Sequence, residues 1–237
     1  MVRERRGQIS LEFLFVFGLL MILLLYSIRN VSFSEGSPSA ENLKIQVALE
    51  EKGLANAISN TISQVYAQGP GSKATASFRF TYLKNEEYVK RASGLRNPEL
   101  FITYCNLPEG GYGTYVLFIN ETNSGMIHLD GENKNAFFTR SLFPRRLSNE
   151  SDAWLVLPDK TTTIFILESP LPTPFFSLCG LKNKTKDEYY VYGVSLKPSE
   201  LPSHLTIVVE WNPDEKNLWV LDKENDVLRI NINPGEK

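Results

Sequence analysis

The sequence has few of the residues from which metal and catalytic sites are built. Its 237 residues include only two cysteines, Cys105 and Cys179, and two histidines, His128 and His204. The cysteines do not form a Cys-x-x-Cys pair, and no histidine lies near a cysteine or a carboxylate at ligand spacing. Zinc sites need such clusters. The sequence therefore predicts no metal site.

Recognisable catalytic and phosphate-binding motifs are missing as well. The chain contains no Gly-x-Ser-x-Gly, P-loop, His-Glu-x-x-His or Gly-x-Gly-x-x-Gly motif. The glycine-rich stretch 109–113 is not followed by a predicted helix that could direct amides at a phosphate, so it is interpreted as a loop. His128 and His204 are single residues in strand-like stretches, which favours structural roles. We predict no catalytic residue, no cofactor and no enzymatic activity.

An excess of charge of one sign is also absent. The formal net charge is −2, without the basic excess that is typical of proteins that bind nucleic acids. The chain is 42% hydrophobic and 22% charged, a balance that indicates a globular protein and excludes a largely disordered one. Nucleic acid is therefore not an expected partner.

One long apolar run is present, and it lies near the N-terminus. Arg3, Arg5 and Arg6 precede it, and residues 13–28 carry no charge. As a helix this run crosses most of a hydrocarbon core of about 30 Å. Because basic residues stay on the cytoplasmic side, we expect a single pass through the cell membrane, with the N-terminus in the cytoplasm and the C-terminal part outside.

Three fates of this run are open from the residues alone. It is a permanent anchor, or a secretory signal peptide cut near Ser34, or a helix that stays on the mature protein after a cut before it. Against the second, the run is longer than the about 7–15 apolar residues of such signals, and Arg29 interrupts it before the cut.

The third fate is favoured because this region resembles the class III signal peptide of archaeal type IV pilin-like proteins. The motif Gly-Gln-x-Ser-x-Glu-Phe is supplied in order by Gly7, Gln8, Ser10, Glu12 and Phe13. The resemblance implies that residues 1–7 are a leader peptide, cut between Gly7 and Gln8 by a prepilin-peptidase-like membrane aspartic peptidase. It covers only about residues 3–28.

Glu12 stands at the edge of the apolar run, where a carboxylate is costly. The cut after Gly7 exposes a new ammonium group on Gln8, and the resemblance implies that Glu12 pairs with this group on a neighbouring subunit during assembly. The alternative is that Glu12 lies among the lipid headgroups and reaches water. Ser10 has a simpler expected role, a hydrogen bond to a backbone carbonyl in the first helical turn.

Two helices are predicted before the rest of the chain. Residues 8–29 form the transmembrane or filament-core helix, 30–37 interrupt it, and 38–69 form an amphipathic helix that begins with Pro38. One face of the second helix carries an apolar stripe: Leu43, Val47, Leu54, Ile58, Ile62 and Val65. This stripe is expected to bury itself against the following domain, with a seam between filament subunits as the alternative.

Residues 72–237 are predicted to form an extracellular, β-rich domain. Short stretches rich in aromatic and β-branched residues alternate with turn signals, which favours an antiparallel, sandwich-like domain without helices between the strands. Two subdomains are the alternative, with a boundary near 170–174. The fold class is thus α+β. The predicted strands are 74–83, 99–105, 114–119, 154–158, 161–167, 188–196, 204–211, 217–221 and 227–232.

Two kinds of covalent modification fit an extracellular domain. Cys105 and Cys179 are candidates for a disulfide, with two buried thiols as the alternative. Asn-x-Ser/Thr triplets in polar segments make three sites candidates for glycosylation: Asn120, Asn149 and Asn183.

The expected function is that of a type IV pilin-like or minor pseudopilin subunit, with membrane lipid, the processing peptidase and other pilin-like subunits as partners. The outward β domain would serve adhesion or interaction in a cell-surface filament. The main alternative is an extracellular binding protein anchored in the membrane that does not polymerise. A secreted enzyme is a further alternative, for which no catalytic set is visible.

Overall fold

The computed structural model describes residues 5–31, 38–120, 136–147, 151–157, 163–168, 179–182 and 188–235. The chain divides into two units, one ending at Ile45 and the other beginning at Gln46. The second unit includes all the strands that the structure describes, and the predicted subdomain boundary at 170–174 lies outside the described residues.

Two long helices come first. Helix α1 spans Arg5–Val31, and helix α2 spans Pro38–Gln68, which differs from the predicted range by one residue. Pro38 suits a first helical position because its missing N–H has no intrahelical partner there. Gly69, with φ of +91°, ends α2 in a conformation that side chains disfavour.

The apolar stripe of α2 is buried, as the first of the two interpretations expected. Leu54, Ile58, Ile62 and Val65 have no exposed surface, and Leu43 and Val47 are also buried. A glycine is favoured at position 53 of this helix, because a β-carbon there would lie 3.1 Å from the ring of Phe78. The missing side chain lets a strand approach α2 closely.

A polar seam fixes the same helix to two strands. The hydroxyl of Ser59 donates to the carbonyl oxygen of Thr139 at 2.7 Å and receives the backbone N–H of Thr114 at 3.2 Å. The hydroxyl of Thr139 donates to the side-chain oxygen of Asn56 at 2.6 Å. The helix is therefore fixed in register by directional bonds as well as by apolar burial.

The strands form two sheets. The first has the order β1-β9-β11-β10-β5, and the second has the order β4-β3-β2-β8-β6, with β7 paired to β8. The strand bounds are β1 Lys73–Arg79, β2 Pro98–Asn106, β3 Tyr112–Asn120, β4 Ala136–Ser141, β5 Trp154–Leu157, β6 Thr163–Glu168, β7 Leu181–Lys182, β8 Glu188–Leu196, β9 His204–Glu210, β10 Leu218–Asp222 and β11 Val227–Asn231. Helices and mostly antiparallel sheets confirm the α+β class.

Two features of the β region were predicted wrongly. A helix, α3 (Glu86–Ser93), lies between β1 and β2, where no helix was expected. The first sheet is also not purely antiparallel, because β5 pairs with β10 and β9 pairs with β11 in parallel. Both pairings join strands that are not sequence neighbours, so no local turn signal encodes them.

The largest buried side chains of the β region are aromatic. The rings of Trp154 and Trp219, on neighbouring strands of the first sheet, have centroids 4.5 Å apart. Tyr104, on β2 of the second sheet, has its ring centroid 5.9 Å from that of Trp219. These contacts bring side chains of both sheets into one aromatic cluster.

Candidate functional site

Helix α1 presents large apolar side chains on all its sides. The exposed fraction runs from 45% for Met21 to 71% for Phe15, and thirteen large apolar residues between Phe13 and Tyr26 are exposed. They are nearly consecutive, with only Gly18 among them, so they cover the whole circumference of the helix and not one stripe. Contiguous apolar surface of this extent marks a region that another molecule or a lipid phase covers.

Glu12 is the exposed acidic residue at the start of this surface. Gly7, Gln8 and Ser10 lie within the backbone of α1, which begins at Arg5. Four residues of helix rise about 6 Å, so the backbone nitrogen of Gln8 and the Cα of Glu12 are one turn apart. Phe13, the last residue of the leader motif, stacks on Phe17 with ring centroids 6.3 Å apart.

Within the described residues, no helix combines the length and the hydropathy needed to cross a membrane. The predicted membrane location stays a prediction.

The two cysteines lie in the core of the β region and form a disulfide. Cys105 on β2 is joined to Cys179, with their Cα atoms 5.2 Å apart and both side chains fully buried. Phe101, Leu117 and Val191 belong to the same apolar cluster. The bond therefore links β2 to the segment that precedes β7, across a sequence separation of 74 residues.

The other predicted positions are scattered or lie outside the described residues. Asn120 ends β3, whereas Asn149, Asn183 and His128 fall outside. His204 is the exposed first residue of β9. Of the glycine-rich stretch 109–113, residues 109–111 lie in the turn between β2 and β3, as the loop interpretation expected, whereas Tyr112 and Gly113 begin β3. In the part of the chain that the structure describes, no group of three or more His, Cys, Asp or Glu side chains could hold a metal ion.

Sequence reasoning missed an open cleft of about 980 Å³ in the second unit. Its walls come from distant parts of the chain: Arg145, Asp152, Ala153, Tyr192, residues 215–218, Asn233 and Gly235. The spacing of such residues along the chain carries no pattern, so no motif search could have found the cleft.

Asparagine side chains hold one wall of the cleft. The side-chain nitrogen of Asn231 donates to the backbone carbonyl oxygen of Lys216 at 2.8 Å. The side-chain nitrogen of Asn233 donates to the backbone carbonyl oxygen of Glu215 at 2.6 Å. The side-chain oxygen of Asn217 accepts the backbone N–H of Asn233 at 2.5 Å. The loop 215–218 is therefore fixed by bonds to its backbone, which leaves the side chains of Glu215 and Lys216 exposed.

Other lining residues combine charge with an aromatic ring. The guanidinium of Arg145 lies against Gly235, where a β-carbon would come within 2.7 Å of it. Tyr192 is half-buried, and its ring is perpendicular to that of Tyr190, with centroids 5.4 Å apart. Burial, then Tyr190, then the charge of Asp152 raise the pKa of Tyr192, so its hydroxyl stays protonated.

Comparisons with known proteins identify no relative of this chain. No protein family, no curated protein and no solved structure matches it. The functional argument therefore depends on the residues themselves.

Proposed function

We propose that the chain is a type IV pilin-like or minor pseudopilin subunit, held in the membrane by α1 before assembly and built into a cell-surface filament afterwards. One observation carries this proposal: α1 exposes large apolar side chains on all its sides, whereas the described residues of the second unit bury most of theirs in a core. Burying one large apolar side chain is worth about 1.5–3 kcal/mol. Thirteen exposed ones create a strong drive toward lipid or toward other copies of the same helix.

The length of the apolar run fits a helix that needs neighbours. Residues 13–28 extend over about 24 Å, which is most but not all of a hydrocarbon core of about 30 Å. A short apolar helix adjusts by thinning the bilayer or by associating with other helices. Lipid is the partner before assembly in this proposal, and other subunits are the partners afterwards.

Glu12 would favour docking of the next subunit through an ion pair. A cut between Gly7 and Gln8, by a prepilin-peptidase-like membrane aspartic peptidase, creates an ammonium group at the edge of the apolar run. An unpaired charge in hydrocarbon costs about 3 kcal/mol. Pairing of Glu12 with the ammonium group of a neighbouring subunit removes this cost only when that subunit docks. The Gly-Gln-x-Ser-x-Glu-Phe resemblance is what supports this role.

The β region suits the outward part of such a subunit. Two sheets that share an aromatic cluster support a sandwich-like domain, and disulfides are most common in oxidising compartments such as the cell exterior. The domain would then carry adhesion or another interaction. The N-terminus would stay in the cytoplasm until the filament assembles.

The test compares Glu12→Gln with Glu41→Gln, a matched control at an exposed position of α2. Each variant is expressed in place of the native chain in cells that normally make it. Filaments are then sheared from the cells and separated from the membranes. We expect Glu12→Gln to be cut at Gly7 but to stay in the membranes, because an uncharged amide cannot neutralise the charge of an ammonium group. Glu41→Gln should enter filaments like the native chain.

The other outcomes separate the alternatives. Native chain that stays in membranes and never enters filaments supports the anchored binding protein that does not polymerise. Native chain that is free in the medium supports a secreted protein. Entry of Glu12→Gln into filaments at the native level contradicts the proposed pairing.

A further inference from the structure

We infer that the cleft between the loop 215–218 and Tyr192 binds a neutral oligosaccharide. The inference goes beyond filament assembly and does not depend on it, because all the described residues that line the cleft lie between Arg145 and Gly235. The volume of about 980 Å³ is at the upper end of the range for small-molecule sites. An open cleft of this size admits a chain of several sugar rings.

The charges of the described lining favour neither a strongly acidic nor a strongly basic ligand. Arg145 and Lys216 are cationic and Asp152 and Glu215 are anionic, so the formal charge of the described lining is zero. A ligand of either sign would gain attraction from one pair and repulsion from the other. A neutral ligand with many hydrogen-bonding groups meets no such conflict.

The same side chains supply both partners that a sugar hydroxyl needs. A hydroxyl donates one hydrogen bond and accepts others. The carboxylates of Asp152 and Glu215 accept, and the cationic groups of Arg145 and Lys216 donate. Hydrogen bonds to charged groups are the stronger class, worth about 1.5–3 kcal/mol each. Oligosaccharides expose closely spaced hydroxyls that use donors and acceptors together.

An apolar surface for the sugar ring lies beside these groups. Tyr192 lines the cleft together with Ala153 and Leu218. The contact with Tyr190 restrains the plane of the Tyr192 ring. Aromatic rings combine a large apolar face with a polar edge. The C–H face of a pyranose ring fits against such a face while its hydroxyls reach the charged side chains.

The asparagine bonds of the loop 215–218 reduce the entropic cost of binding. A loop that must be ordered on binding loses affinity, whereas a preformed one does not. Because Asn231 and Asn233 already hold the backbone carbonyls of Lys216 and Glu215, the two charged side chains project from a fixed backbone.

The test uses the full chain in lipid nanodiscs, since sugar-based detergents would compete for the cleft. Binding is first measured on an array of neutral, acidic and basic oligosaccharides built from glucose, galactose, mannose and N-acetylhexosamines. The best neutral compound is then titrated calorimetrically into native chain, Tyr192→Ala, Glu215→Ala and Tyr88→Ala. Tyr88 is the matched control, a tyrosine on α3 that does not line the cleft.

We expect a neutral compound to bind, with an association constant lowered at least tenfold by Tyr192→Ala and severalfold by Glu215→Ala. Tyr88→Ala should bind like the native chain. Glu215 is an exposed side chain, so Glu215→Ala tests the cleft even if Tyr192→Ala unfolds. The inference is overturned if only acidic or basic compounds bind, if nothing binds at millimolar concentration, or if both cleft variants bind like the native chain.

Discussion

Helices α1 and α2 are similar in length, with 27 and 31 residues, but they treat apolar side chains in opposite ways. In α2 most of the large apolar side chains form one stripe that is buried, with Ile45 and Leu49 exposed, and in α1 they cover the whole circumference and are exposed. The folding of α2 is therefore explained within the chain. The exposed apolar surface of α1 needs a partner outside the single chain, such as lipid or another subunit.

The glutamates of the two helices show the same contrast. Glu12 is exposed beside the apolar surface of α1. Glu51 is only 1% exposed, and its Oε1 has no hydrogen-bond partner among the described residues. Burial raises the pKa of Glu51 well above its ordinary value. An acid among apolar side chains thus either keeps its proton, as in α2, or needs a partner from outside, as proposed for α1.

Removal of the disulfide should have the largest effect on stability, and it should affect the second unit without affecting α1. In the chain-entropy model, the double variant Cys105→Ala/Cys179→Ala loses about 4 kcal/mol of unfolding free energy, because the bond closes a long loop. Urea unfolding followed by tryptophan fluorescence measures this loss, since Trp154, Trp211 and Trp219 all lie in the second unit. Flotation with lipid vesicles should not change, because α1 is untouched. Loss of flotation would break the separation between the two regions.

A pair of leucines tests the contrast between the helices directly. Leu54→Ala in α2 should cost about 3 kcal/mol, because it opens a cavity in the core. Leu20→Ala in α1, where the side chain is 58% exposed, should change the same urea transition by less than about 0.5 kcal/mol. Equal losses for the two variants would show that α1 belongs to the folded core.

A substitution at Glu50 tests how much the hydrogen bonds between α2 and residues 81–83 contribute to stability. Its two carboxylate oxygens accept the backbone N–H groups of Thr81, Tyr82 and Leu83 at 2.9–3.0 Å. Glu50→Gln removes the charge and one acceptor oxygen, so we expect a loss of about 2 kcal/mol. Glu41→Gln, at an exposed position, is the control and should unfold like the native chain. Ordinary surface substitutions change the unfolding free energy by up to about 0.5 kcal/mol. A loss smaller than this for Glu50→Gln would mean that these hydrogen bonds contribute little.

The smallest expected effect is the pH dependence that Glu51 confers. Its raised pKa means that the folded chain binds a proton that the unfolded chain releases near pH 4.5. The native chain should therefore lose stability as the pH rises above 4.5, whereas Glu51→Gln, which does not titrate, should not lose this contribution. Urea unfolding at several pH values should show the native chain losing stability relative to the variant as the pH rises from 4.5 to 7. Parallel pH profiles would mean that Glu51 does not titrate in this range.

Local periodicity predicted the elements that bury one regular face. The range of α2 and nine of the eleven strands in the described residues were found in this way, because each puts several apolar residues on one side. Helix α3 buries only Val89, so it has no periodicity to detect. Its signals were the caps, which are Asn85, whose side chain accepts the N–H of Tyr88, and Gly94 with φ of +74°, and the i,i+4 charge pairs Glu86–Lys90 and Glu87–Arg91.

Long-range arrangements were not readable from the sequence. The stripe of α2 skips one turn between Val47 and Leu54, and Glu51 fills that turn as a buried residue, which composition gave no reason to expect. The parallel strand pairs and the cleft join residues that are far apart in the chain. The leader motif, by contrast, is local and could be read in full.

The central claim is that α1 remains on the mature protein after a cut between Gly7 and Gln8. Intact mass and N-terminal sequencing of the protein isolated from native membranes and filaments test it most directly. We predict a chain that begins at Gln8 and retains residues 8–31. A mature chain that begins near Glu35 and lacks the apolar helix would contradict the account.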